Sequence, residues 1–296
     1  MEISIKGLTK QYDNGFFALD QIDLTIHEGI FGLLGPNGAG KSTLMRILVT
    51  LLEATSGNVL IDGKDINKYR KEIRKMLGYL PQDFSFFPKL KTWEYLDYSA
   101  RLAGINSSKI RKARIEELLV SFGLNDARNR MANNLSGGMK RRLGIMQALI
   151  GKPRIIIVDE PTTGLDPEER IRFRNIISSL SHEDIIIILS THIVGDISSA
   201  CNQMALLNLG KVVFNGSPDD LVSQTRGNVW HLNTSQEELD ELKLKYPIIS
   251  TIPAGKGWEI QLVGKKPEGF NADLIEPNLE HAYVDFLENK LNNWIL

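Results

Sequence analysis

Three short stretches of the 296-residue sequence carry residues whose types and spacing suit chemistry on a phosphoanhydride. The first, Gly35-Pro36-Asn37-Gly38-Ala39-Gly40-Lys41-Ser42, fits G-x-x-x-x-G-K-[ST], a P-loop. Glycines let such a loop fold with its backbone N–H groups pointing inward at phosphate oxygens. A helix starting at its end adds a partly positive N-terminus to the same spot. Lys41 can reach the β- and γ-phosphates, and the Ser42 hydroxyl can ligate Mg²⁺. The second stretch, "RIIIVDEP", puts Asp159 and Glu160 at the end of an apolar strand. There Asp159 can hold Mg²⁺ through water, and Glu160 can polarise an attacking water as a general base. The third, "NNLSGGMKRRL", sets Ser136-Gly137-Gly138 ahead of a helix, a second anion-binding nest. One P-loop does not need two phosphate nests in one site. The second nest is therefore read as serving a different nucleotide, on another copy of a similar subunit.

The elements that must position these residues follow from the apolar pattern. "MEISIKGLTKQY" and "LDQIDLTIHEG" alternate, as antiparallel strands joined near Asn14-Gly15 do. "GIFGLLG" is a short strand feeding the loop, and "KSTLMRILVTLL" has helical spacing with no breaker until "TSG". "GNVLIDGKDI" reads as a hairpin and "KMLGYLPQ" as a strand closed by proline. From Thr92 to about Asn134 the character is helical, with Ser107 and Ser108 as caps, and Ser136 opens "SGGMKRRLGIMQALIG". "RIIIVDEP" and "DIIIILST", rich in β-branched residues, read as buried parallel strands joined by the crossover helix "PEERIRFRNIISSLS". The fold class expected is α/β, with an antiparallel N-terminal sheet and an inserted helical piece. After about Leu221 the pattern restarts as strand, helix, strand and closing helix. Residues 221–296 are thus expected to form a small α+β appendage beside a main domain of residues 1–220.

A hydrophobic content of 42%, a charged content of 24% and a net charge of -1 describe an ordinary globular chain with no global pull toward nucleic acid. The single cysteine, Cys201, excludes an internal disulfide and is read as a small core residue. Neither "IIIV" nor "IIIIL" approaches the roughly 20 apolar residues that span a bilayer. The basic runs "KYRKEIRK" and "KIRKAR" alternate with apolar positions and read as a solvated face. His27, His182, His231 and His281 lack catalytic context, and Trp230 and Trp258 read as core residues.

Taken in order, "GPNGAGKST", "LPQ" with Gln82, "LSGGM" at 135–139, "IIIVDEP", "GLD" at 164–166 and "STH" with His192 resemble the ATP-binding subunits of ABC transporters, over about residues 2–220. The resemblance implies a P-loop NTPase core with a helical insert at about 92–134. It also implies ATP and Mg²⁺ as ligands, with Thr43 beside Ser42 in the loop. Two such domains, from a second copy or a homologous ATPase subunit, would pair head to tail. Two ATP molecules would lie between each P-loop and the opposite Ser136 nest. On the same resemblance Tyr12 would stack on adenine, and Gln82 would contact Mg²⁺ and sense the transport domain. Gly164-Leu165-Asp166 would cross the dimer interface, and His192 would contact the γ-phosphate. The energy would drive an integral-membrane permease on a separate chain. This chain would be soluble and peripheral on the cytoplasmic face of the cell membrane. Met139 replaces the glutamine most frequent in the family, and "SGGMKRRL" with the ending "EPNLEHAYVDFL" resembles bacterial drug, antibiotic-peptide and polysaccharide exporters. A rival reading is a soluble ABC-type ATPase acting on ribosomes or DNA. Such proteins usually carry two ATPase domains, a long coiled coil or zinc cysteines, and this chain shows one P-loop and one cysteine.

Overall fold

A computed structural model describes residues 1–180 and 184–291. His182 lies outside the described residues. The chain divides into two compact units, Met1–Asn215 and Gly216–Leu296.

In chain order the first unit comprises β1 (Glu2–Gln11), β2 (Phe17–His27), β3 (Gly29–Leu34), α1 (Lys41–Leu48), β4 (Ser56–Ile61), β5 (Lys64–Asp65), α2 (Arg70–Met76), β6 (Leu77–Leu80), α3 (Thr92–Leu102), α4 (Ser108–Ser121), α5 (Gly137–Leu149), β7 (Ile155–Asp159), α6 (Pro167–Leu180), β8 (Ile186–Thr191), α7 (Val194–Ala200), β9 (Gln203–Asn208) and β10 (Lys211–Gly216). An antiparallel sheet runs β2-β1-β4-β5, and a six-stranded sheet runs β10-β9-β3-β8-β7-β6. Within the latter, β3, β6, β7, β8 and β9 are parallel. Helix α1 packs between the two sheets. Leu44, Met45 and Ile47 share one buried cluster with Ile3 and Ile5 of β1, Ile155 and Ile157 of β7, and Ile186 and Ile188 of β8. The register pairs Leu34 with Thr191 and Asp159 with Ser190, so the carboxyl ends of β3, β7 and β8 lie level. Open α/β sheets bind ligands at such an edge.

The helical insert is α3 and α4, followed by short 3₁₀ turns at Asn125–Ala127 and Ala132–Asn134. Ser107 caps α4 by accepting from the Ile110 amide at 3.5 Å. Arg111 is buried: its Nε donates to Asp97 at 2.6 Å, and Nη1 to the Ile105 and Asn106 carbonyls at 3.0 and 2.7 Å. The expectation that "KIRKAR" forms a solvated face therefore fails at Arg111, which closes the α3–α4 loop.

The second unit comprises α8 (Pro218–Ser223), β11 (Val229–Thr234), α9 (Gln236–Lys245), β12 (Ile248–Ala254), β13 (Gly257–Val263), β14 (Asp273–Leu274) and α10 (Leu279–Asp285), which continues as a π-helical turn, Phe286–Leu291. Its antiparallel sheet runs β12-β13-β11-β14. Helix α9 buries Leu239 and Leu242 against Leu232, Ile260 and Leu262, with Trp230 and Trp258 packed on that cluster. Ser235 and Glu238 form a reciprocal capping box at its start. His281 is buried, with Nε2 at 3.0 Å from Gln261 Oε1, and burial holds its pKa below the usual histidine value. His231 lies 2.9 Å from Glu259, and His27 is exposed near Glu2.

Some elements depart from the pattern-based reading. Helix α1 ends at Leu48, not at Leu52, because Thr50 adopts φ 62°. That turn is held from a distance: Arg74 donates through Nε to Thr50 Oγ1 at 2.7 Å and through Nη2 to the Thr50 carbonyl at 2.9 Å. The basic run "KYRKEIRK" contains α2, with Ile73 buried. Residues 194–216, for which no element is expected, form α7, β9 and β10 and complete the large sheet.

Helix α5 lies close against β6 because each side of the contact carries a glycine, Gly78 on β6 against Ala148 and Gly144 on α5 against Leu80. A Cβ on Gly78 would stand 2.2 Å from the Ala148 carbonyl oxygen, and one on Gly144 would stand 2.6 Å from Leu80 Cδ1. The first clash is with backbone, so it is relieved only by moving the helix. Gly78→Ala is expected to destabilise the first unit by about 1–3 kcal/mol, read as a lower thermal midpoint. An unchanged midpoint would mean that the α5–β6 contact is loose.

Candidate active site

The loop between β3 and α1 is wrapped tightly. Gly38 and Gly40 have φ of 82° and 106°, which suit glycine. A Cβ on Gly40 would stand 2.3 Å from the Ala18 carbonyl oxygen, so β2 presses on the loop from outside. Lys41, 5% exposed, curls back over the loop. Its Nζ donates to the Gly35 carbonyl at 2.7 Å and the Pro36 carbonyl at 3.1 Å. A cleft of about 410 Å³ opens on the loop and is lined by Asn37 to Thr43, together with Tyr12, Phe16, Ala18, Gln82 and Glu160.

The carboxylate pair sits where β7 stops. Asp159 is 2% exposed, and its Oδ1 accepts the Ser190 hydroxyl at 2.8 Å. Glu160, 4% exposed, has φ 49°, a conformation that costs a residue other than glycine about 1–3 kcal/mol unless neighbours impose it. They do: the Glu160 amide donates to the Ser190 carbonyl at 2.9 Å, and Arg141 donates to the Glu160 carbonyl. This turn aims the carboxylate at the loop. Its Oε1 is 3.5 Å from Lys41 Nζ, while Oε2 lies 2.7 Å from His192 Nδ1 and accepts the Thr163 hydroxyl at 3.1 Å. An ionised carboxylate only accepts hydrogen bonds, so against it Nδ1 carries the imidazole proton. His192 follows β8 directly, on a turn where the Ile193 amide donates to Thr191 Oγ1 at 2.9 Å.

Tyr12 stands on the β1–β2 turn with its hydroxyl 3.4 Å from Thr43 Oγ1. Gln82 follows β6 and Pro81, and its carbonyl accepts Arg141 Nη1 at 3.1 Å. The structure thus brings Tyr12, Asn37 to Thr43, Gln82 and Glu160 to one cleft, with Gly35, Pro36, Asp159 and His192 directly behind or beside it.

Ser136, Gly137, Gly138 and Asp166 do not line that cleft. Ser136 caps α5, accepting the Met139 amide at 3.3 Å, and Gly137 faces open space. Gly138 is backed by Glu169, which pairs with Arg142 at 3.3 Å. Asp166 starts α6, its Oδ1 accepting the Glu169 amide at 2.8 Å. Gly164 has φ 75° in the turn before it.

Several residues around this site escape sequence reasoning. Phe16 joins Tyr12 in the cleft lining. Thr162 donates to the buried Asp196, which also accepts from Thr191 at 3.4 Å, tying the turn after Glu160 to α7. Arg141, in the run "MKRRL", is buried under Phe84 with its guanidinium carbon 5.4 Å from the ring centroid. The available signal is its spacing: Arg141 shares a helical stripe with Ile145 and Ala148, both buried.

Among the described residues, no group of three or more His, Cys, Asp or Glu is placed to hold a metal, and no helix is long and apolar enough to cross a membrane.

The family described as ABC transporter matches residues 19–163. The daunorubicin/doxorubicin resistance ATP-binding protein DrrA of Streptomyces peucetius is 36% identical over 231 residues, which cover 78% of this chain and 69% of DrrA. The methionine import ATP-binding protein MetN of Corynebacterium diphtheriae is 37% identical over 236 residues, covering 77% of this chain and 69% of MetN. The dimeric structure of the bacterial ABC transporter cassette MJ0796 matches with a TM-score of 0.67 and 29% identity, covering 73% of this chain and 98% of the cassette. The α/β fold is that of an ABC cassette with a P-loop NTPase core, and the chain belongs to the ATPases of the ABC transporter family, among its ATP-binding proteins.

Proposed function

We propose that the chain works as one of a pair of cassettes closed around two ATP molecules, and that the pair drives a membrane permease encoded on a separate chain, in the export direction. The observation that carries the reading is the separation of its two phosphate nests: residues 37–43 line the cleft, and Ser136 to Gly138 do not. A nest left outside its own cleft suits a nucleotide held by a second copy, and the relative of known cassette structure is a dimer. ATP binding falls to residues 1–220, with 221–296 as an accessory piece.

In this reading Tyr12 stacks on the base, with the loop amides of 35–40, Lys41 and Thr43 around the phosphates. The hard oxygen donors of Ser42, Gln82 and Asp159 suit Mg²⁺, which takes few protein ligands and keeps water and phosphate oxygens for the rest. When bound, Mg²⁺ supplies charge neutralisation on the phosphates. Glu160 takes a proton from water as the water attacks the γ-phosphorus; the bond to the bridging oxygen breaks, leaving ADP and phosphate. His192 holds the Glu160 carboxylate in line and reaches toward the γ-phosphate, and Asp166 meets the second copy. Loss of the γ-phosphate contacts opens the pair. The Gln82 loop and the helical insert carry that opening to the permease at the cytoplasmic face of the membrane. Export is supported by the "SGGMKRRL" helix and the drug-resistance relative, while the methionine import relative is slightly higher in identity, 37% against 36%, and sets the direction as the point to test.

Glu160→Gln is expected to bind ATP normally, lose at least about 100-fold in steady-state turnover, and run as a dimer on sizing in ATP–Mg²⁺. A monomer under those conditions would sink the pairing. Lys41→Ala removes a charge-assisted contact and is expected to weaken ATP binding by about 10- to 100-fold, measured by fluorescent-nucleotide titration. Tagged Glu160→Gln protein captured with ATP–Mg²⁺ from detergent-solubilised cells should bring down a multi-spanning membrane protein in stoichiometric amount. Ribosomal or DNA-bound material in its place would overturn the transport reading.

A further inference from the structure

Arg141 has an arrangement of contacts that the roles assigned above do not use. It is 7% exposed, and its hydrogen-bond acceptors are backbone carbonyls of two separate segments. Nε donates to the Pro161 carbonyl at 2.6 Å, Nη2 to the Glu160 carbonyl, and Nη1 to the Gln82 carbonyl at 3.1 Å. The Phe84 ring covers it, with the guanidinium carbon 5.4 Å from the ring centroid. Burial lowers its pKa to about 10, with Asp159, Glu160 and Asp83 opposing the fall, so the group is charged at neutral pH.

A buried cation is costly, and an apolar side chain of similar size can fill such a volume without that cost. What an apolar side chain cannot do is hold three carbonyls at once. The guanidinium is flat and presents its donors in a fixed fork, whereas lysine offers a compact point charge on a flexible stem. Two of the three carbonyls belong to Glu160, which has positive φ, and to Pro161 directly after it, and the third belongs to Gln82 at the start of the loop after β6. Glu160 and Gln82 reach the same cleft from neighbouring strands, β7 and β6. Helix α5, which carries Arg141, is itself seated on β6 by Gly78 and Gly144.

We propose that Arg141 is a positioning residue for ATP hydrolysis: its guanidinium clamps the Gln82 carbonyl and the Glu160–Pro161 turn to α5 and so fixes the placement of the Glu160 carboxylate relative to the Gln82 side chain. The inference rests on the roles proposed above for Glu160 and Gln82. It separates Arg141 from the ATP-binding surface, because Arg141 does not line the cleft. Its loss should therefore act on turnover and leave ground-state binding nearly intact.

The test uses the full chain and three variants: Arg141→Lys, Arg141→Ala and, as reference, Glu160→Gln. Arg141→Lys keeps the charge and most of the volume and is the variant least exposed to misfolding. It is expected to bind fluorescent ATP within about threefold of wild type while kcat falls by about 10- to 100-fold, the size of effect that a misplaced reacting group produces. Arg141→Ala should show the same split. Guanidinium ion at tens of millimolar (roughly, sub-denaturing) should restore part of its kcat, and NaCl at equal ionic strength should not. Wild-type kcat in Arg141→Lys would overturn the proposal. So would a fall in kcat accompanied by an equal loss of ATP affinity in both variants with no guanidinium rescue, which is the signature of general structural damage. If Glu160→Gln itself turns over at the wild-type rate, the base assignment and this inference fall together. If Glu160→Gln is inactive and Arg141→Lys is not impaired, only the inference falls.

Discussion

The isoleucine runs of β7 and β8 are apolar on both faces, so hydrophobicity alone does not choose their register. Ile155, Ile157, Ile186 and Ile188 meet α1 and the antiparallel sheet, while Ile156, Val158 and Ile187 are equally buried on the other side. A slip by one residue would exchange the faces at little hydrophobic cost. The polar ends break this degeneracy. Ser190 gives its hydroxyl to Asp159, and its carbonyl takes the Glu160 amide. Those bonds form in one register only. That register places the Asp159–Glu160 turn level with the end of β3 and with His192.

Around this edge the interior changes character. The sheet core is aliphatic, yet Lys41, Asp159 and Glu160, which follow β3 or stand at the end of β7, and Arg141, bonded to the turn after β7, are all nearly sealed from solvent. Isolated buried charges would shift or unfold; here each has partners. Lys41 spends its donors on loop carbonyls, Glu160 takes His192 and Thr163, and Asp159 takes Ser190. Buried polar networks of this kind are demanding, because removing one member leaves another unpaired. The turn at Glu160 is held in its uncommon conformation by bonds from both directions along the chain.

Much of this was legible before any coordinate. The glycine loop, the strand-end carboxylates and the Ser136 cap are local signals, each readable within about ten residues, and the strand–helix alternation fixed the α/β class. What escaped was set at a distance. The early end of α1 depends on Thr50 meeting Arg74, which no window centred on α1 contains. Arg111 and Arg141 look like members of ordinary basic runs; what holds them inward is distant in sequence, Asp97 for Arg111 and the Glu160–Pro161 turn for Arg141. Strand β9 gains its place by pairing with β3, and β10 by lying beside β9 at the edge of the sheet. In the second unit β12 is an edge strand with little buried surface and a proline at 253, so neither alternation nor composition marks it clearly.

The packing of α7 over β3 has a practical consequence. A Cβ on Gly32 would stand 2.5 Å from Ile197 Cδ1 and 3.0 Å from Cys201 Sγ, so these two side chains fill the space that the missing side chain leaves. Burial pushes the Cys201 pKa up to about 12, with Asp196 adding to the rise. A thiol that stays protonated and covered is a poor nucleophile. The single cysteine of the chain is expected to react slowly in the folded state. Spectroscopic labels or crosslinkers placed at engineered surface cysteines, beside Gly38 or Gly137 for instance, would report on those positions alone without first removing Cys201 from the core.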